Sequence, residues 1–146
     1  MDVALDPNQG AAYLNRGQAF AAKHDRTQAI ADFTQAIRID PNAIIAYRKR
    51  AFYRQEVGDG QGAIDDYNHV IDDDPKDAQA LRRRGYARLQ NHEPDAAIVD
   101  LTAAIVLNPK DTQAYSFRGL AYEAKQDAKR ADLDFATVRQ LDAASR

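Results

Sequence analysis

The chain contains no cysteine, which excludes disulfides and thiol chemistry and leaves oxidising and reducing compartments equally open. No apolar run approaches the roughly 18 residues of a membrane span, and the opening MDVALDPNQG is no signal peptide. Glycine and proline are few, 7 and 5, and fall at regular places, so the chain is neither disordered nor fibrous. No strand-like alternation and no Asn-Gly hairpin signal occurs. Net charge is only −2, from 20 basic and 22 acidic residues, so no whole-molecule field draws the chain to nucleic acid or a membrane. A Gly-rich phosphate loop and the HExxH metal motif are both missing.

What is present is a period. Asp6-Pro7, Asp40-Pro41, Asp74-Pro75 and Asn108-Pro109 stand 34 residues apart, and Asp142-Ala143 is the next beat with proline lost. With Gly10 as position 1 the repeats are 10–43, 44–77, 78–111 and 112–145, preceded by residues 1–9. Each has helical apolar spacing, a polar turn, and a second helical stretch that ends near the Asp-Pro mark, because proline cannot donate the next backbone bond. The spacing predicts first helices near 10–23, 44–57, 78–91 and 112–125, and second helices near 27–39, 61–73, 95–107 and 129–141. The 146 residues are therefore read as an all-α array, and arrays present surfaces rather than build pockets around a catalyst.

The recurring residues have packing roles. Position 8 is Gly17, Ala51, Gly85 and Gly119, and position 20 is Ala29, Ala63, Ala97 and Ala131. Small side chains there let paired helices approach closely. Position 24, which is Phe33, Tyr67, Leu101 and Phe135, fills the space between them. These residues, in register four times, resemble the tetratricopeptide repeat family over residues 10–145. The resemblance implies a right-handed α-solenoid of helix-turn-helix units that acts in protein–protein interaction. Two departures stand out. Position 7 is arginine (Arg16, Arg50, Arg84, Arg118) ahead of the small position 8, an Arg-Gly variant of the pattern. Position 11, usually aromatic, is Phe20, Arg54, Arg88 and Tyr122, so the middle repeats are expected to lose a packing residue.

The arginines have a matching acid, since position 23 is Asp32, Asp66, Asp100 and Asp134. Arg–Asp clips across the helix packing are expected, structural rather than ligand-binding, because function seldom needs every copy identical.

The resemblance also implies a concave groove lined by first helices. Its candidate residues here are Asn15, Arg48, Lys49, Phe52, Arg82, Arg83, Tyr86 and Phe117. The cations beside aromatics suit an acidic peptide, with Phe52 and Tyr86 as apolar anchors. The family subgroup that clamps chaperone C-termini is not matched, because Leu14, Gln18, Lys49, Gln79 and Arg83 stand at the clamp positions and only Arg83 fits. Nucleic acid is disfavoured by the acidic balance. His24 and His92 lie in turns two repeats apart and His69 lacks ligating neighbours, so no metal site is expected. No cofactor, small-molecule substrate or enzymatic activity is read in the chain.

The ends differ. Val3-Ala4-Leu5-Asp6-Pro7 reads as the tail of a second helix, so residues 1–9 are expected to be a remnant of a preceding repeat or an N-terminal extension. An open N-terminal face would offer a route to homo-oligomers. The fourth repeat carries Asp132 and Arg139 where the others have isoleucine, as a polar C-terminal cap would. A cytoplasmic location is the expectation.

Overall fold

The computed structural model describes residues 6–146. Among them are eight α-helices: α1 (Pro7–Ala22), α2 (Arg26–Ile39), α3 (Ile44–Glu56), α4 (Gly60–Asp73), α5 (Ala78–Gln90), α6 (Pro94–Leu107), α7 (Thr112–Ala124) and α8 (Ala128–Ala144). The described residues contain no strand. Six of these helices follow the expected bounds to within a residue at each end; α1 begins at Pro7 and α8 runs on to Ala144. The stub Val3–Leu5 lies outside the described residues, while Asp6 and Pro7 begin α1. Asp6 caps α1 by accepting from Asn8 N at 2.9 Å, and Pro7 sits where a missing N–H costs nothing. The later copies make the same Asx bond: Asp40 Oδ1 accepts from Asn42 N at 3.0 Å and Asp74 Oδ1 from Lys76 N at 3.0 Å.

The chain divides into two compact halves, Met1–Asp73 and Asp74–Arg146. Within the first, α1 packs on α2, α2 on α3, and α3 on α4. Within the second, α5 packs on α6, α6 on α7, and α7 on α8. Close approach at position 8 is enforced sterically. A Cβ on Gly17 would lie 2.8 Å from Phe33 Cε1, one on Gly85 2.7 Å from Leu101 Cγ, and one on Gly119 2.5 Å from Phe135 Cε1. Ala29, Ala63, Ala97 and Ala131 are buried against these contacts, as are Phe33, Tyr67 and Leu101.

The turn inside each repeat bends through one left-handed residue, His24 (φ 62°), Gly58 (87°), His92 (61°) and Gln126 (61°). That is the residue a helix uses to leave its last turn. His24 and His92 therefore serve the backbone. After it, Asp25, Asp59 and Asp127 cap the second helix of their repeats by accepting from Gln28 N, Gly62 N and Arg130 N.

Candidate functional site

Each position-7 arginine grips the position-23 aspartate of its own repeat with two parallel bonds. Arg16 Nε and Nη2 donate to Asp32 at 2.7 and 2.8 Å, and Arg50 does the same to Asp66 at 2.9 and 2.7 Å. Arg84 reaches Asp100 at 2.8 and 2.8 Å, and Arg118 reaches Asp134 at 2.8 and 2.7 Å. The four aspartates are only 1–4% exposed, so the fork supplies hydrogen bonds that water would otherwise give. The bond to Asp134 raises the Arg118 pKa above its ordinary value, with burial opposing. Arg50 Nη1 also donates to Thr34 at 3.1 Å and Arg118 Nη1 to Thr102 at 3.2 Å, stitching each to the preceding repeat of its half.

The arginines at position 11 are not lost packing residues. Arg54 Nη1 donates to Asp66 at 3.1 Å and Arg88 Nη1 to Asp100 at 2.9 Å, so each middle aspartate holds two guanidinium groups. In the outer repeats the aromatic at that position lies under the first arginine, Phe20 at 5.8 Å and Tyr122 at 5.9 Å. A carboxylate with about four acceptor sites accommodates either arrangement. The sequence signal was present, since arginine replaces the aromatic at the same place twice.

The expected partner-binding residues separate into distinct environments. In the second half Arg82 Nη1 donates to both oxygens of Asp111, at 3.0 and 2.9 Å. Both side chains are largely buried, so Arg82 is committed to a carboxylate of its own chain. Tyr86 and Phe117 stack on each other with centroids 4.3 Å apart and planes 15° from parallel, and Phe117 rests on the core of Ala97, Leu101 and Ala121. Arg83 is half-buried on α5. In the first half, Asn15 is exposed on α1, and Arg48, Lys49 and Phe52 are half-buried on α3. Phe52 meets Tyr53 edge to face at 5.0 Å. Lys49 has no carboxylate partner among the described residues.

These differences control how adjacent first helices meet. In the second half α5 packs on α7, and the Arg82–Asp111 pair and the Tyr86–Phe117 stack join them. In the first half the same four repeat positions hold Leu14, Ala43, Gln18 and Lys49. No comparable packing joins α1 to α3, and two cavities open along that line. One, of about 710 Å³, is walled by Leu14, Ile39, Ala43 and Ile44. The other, of about 240 Å³, is walled by Gln18, Phe33, Lys49 and Tyr53. Sequence reading missed this seam, although arginine at position 5 and aspartate at position 34 occur together in repeats two and three and are both missing from one and four.

Among the described residues no group of three or more His, Cys, Asp or Glu side chains is placed to hold a metal. No helix among them is long and apolar enough to cross a membrane.

Tetratricopeptide repeat descriptions match the chain over residues 10–43, and over 49–105 and 83–143. No curated protein matches significantly. Among similar solved structures, a MamA RS-1 ArsTM double mutant has 21% identity and a TM-score of 0.91, over 96% of this chain and 79% of that one. A crystal structure of MamA has 24% identity and a TM-score of 0.88, over 96% of this chain and 82% of that one. MamA from Desulfovibrio magneticus RS-1, residue 41 to its end, has 22% identity and a TM-score of 0.89, over 95% and 77%. At these identities the likeness is one of fold.

Proposed function

The chain belongs to the tetratricopeptide repeat family, a family of protein-interaction modules, and on that premise we propose that it holds an acidic peptide segment of a protein partner against its first helices. The observation that carries the reading is Lys49. It walls an open cavity beside Phe33 and Tyr53 and has no carboxylate of its own among the described residues. A cation beside aromatic rings offers a partner carboxylate one charge-assisted bond. Arg48 and Phe52 on the same helix, and Arg83 on α5, extend the cationic and aromatic surface within their own halves. Arg82 is withdrawn from the set by Asp111. Peptide selection from a displayed random library tests the reading. Enrichment of acidic sequences whose binding weakens with added salt supports it, and enrichment of neutral or basic sequences refutes it.

A second reading, self-assembly, draws on a different surface from the one expected. Among the described residues no large apolar side chain of α1 or α2 is exposed. In the second half, Val99 and Val106 on α6 are 68% and 74% exposed, and Leu133 on α8 is 62% exposed. Such side chains favour association through second helices. A mass that rises with concentration and is reset by Val99→Asp supports this reading, while a constant monomer mass removes it.

A further inference from the structure

The first half leaves open a seam that the second half closes with its own side chains. We infer that this α1–α3 seam is where a partner peptide inserts, and that the peptide carries a branched aliphatic side chain with a carboxylate two or three residues away. The inference rests on the peptide-binding reading above and specifies the ligand.

Where Arg82 and Asp111 bridge α5 to α7, the first half has Leu14 and Ala43, neither of which reaches across or offers a charge. The cavity left there, about 710 Å³, lies within the roughly 300–1,000 Å³ of ligand clefts. Its walls are chiefly aliphatic: Ala11, Leu14 and Ile39 face Ala43 and Ile44. The one carboxylate at its rim, Asp40, is occupied in accepting from the Asn42 amide at 3.0 Å. The chemistry that fits is an aliphatic group. Water held there finds few polar partners, so its replacement by such a group is favourable.

Where Tyr86 stacks on Phe117, the first half has Gln18 and Lys49 lining the smaller cavity. The complement of an ammonium without a carboxylate is a carboxylate. One helical turn, about 6 Å, separates Leu14 from Gln18 on α1, and five residues, about 7.5 Å, separate Ile44 from Lys49 on α3. An extended peptide advances about 3.3 Å per residue, so the two anchors lie two or three residues apart. The ligand thus supplies from outside what α5 and α7 supply to each other.

The experiment is a random displayed-peptide selection against the parent protein, followed by affinity measurement of the enriched peptides on three variants. Leu14→Arg with Ala43→Asp rebuilds the second half's ion pair and closes the aliphatic part of the seam. Ala11→Trp fills the same cavity from an exposed position on α1. Lys49→Glu reverses the charge at the other anchor. The expected result is enrichment of peptides with Val, Leu or Ile two or three residues from Asp or Glu, and a loss of about tenfold or more on every variant, about 1.4 kcal/mol. Enriched peptides that bind all three variants as they bind the parent overturn the seam while leaving peptide binding intact. No enrichment by the parent overturns both. Should Leu14→Arg with Ala43→Asp fail to fold, Ala11→Trp alone decides: unchanged binding overturns the seam.

Discussion

Arg82 Nη1 sits 3.0 and 2.9 Å from the two carboxylate oxygens of Asp111, across 29 residues of chain. Asp111 does a second task with one of these oxygens, Oδ1 accepting from Ala114 N at 3.2 Å as the N-cap of α7. Asp77 caps α5 in the same way, through Ala80 N at 2.9 Å. Ala43, at the equivalent position before α3, offers no side-chain cap.

Replacing Ala43 with aspartate should therefore stabilise the protein even without an arginine to pair with. A good N-cap in place of alanine is worth about 1 kcal/mol. Urea unfolding of Ala43→Asp checks this, and a midpoint at or below the parent's contradicts it.

Asp66→Ala should destabilise by about 3–5 kcal/mol, because it strands Arg50 and Arg54 around an empty site. Asp32→Ala should cost clearly less, since Arg16 is 60% exposed and water takes over its solvation. Equal losses in thermal or urea unfolding would contradict this ranking.

Gly119→Ala should cost about 1–3 kcal/mol, the usual range for overpacking a tight core. The added Cβ would stand 2.5 Å from the Phe135 ring, so the ring or the whole helix must shift. Restoration of stability by pairing Gly119→Ala with Phe135→Leu would identify the clash as the cause.

His92→Gly and Gln126→Gly should each raise stability, by about 1 kcal/mol, by relieving a left-handed backbone that L side chains resist. Gly58→Ala should move the opposite way, and the open space around Gly58 leaves the backbone as its only cause. Unfolding midpoints that respond in the same direction to both changes would contradict the account.

Most of the helical architecture was legible because its signals are local and repeated. Proline at each beat, small residues at positions 8 and 20 and large ones at 24 mark helices and their contacts directly. Asp6-Pro7 marks the limit of such signals, because an Asx-Pro pair can end a helix or begin one, and here it begins α1. Arg54 and Arg88 misled because an amphipathic pattern scores a position by apolarity and does not count the lone pairs of Asp66 and Asp100. The seam was the least legible element. It depends on pairs 29 residues apart, in which the loss of two polar side chains at once opens a space, and no single position announces that.

The closed geometry of the arginine fork has a bearing on how such a chain changes length. Each grip between position 7 and position 23 spans 16 residues and begins and ends inside one 34-residue unit. Excising or duplicating a whole unit therefore leaves no buried aspartate without its arginine. A cut between position 7 and position 23 is tolerated only when 34 residues, or a multiple, are lost or gained, because the arginine then meets the next repeat's aspartate at the same spacing. Viable insertions and deletions inside that stretch are thereby confined to whole multiples of the repeat, a reading frame for rearrangement written in buried charge.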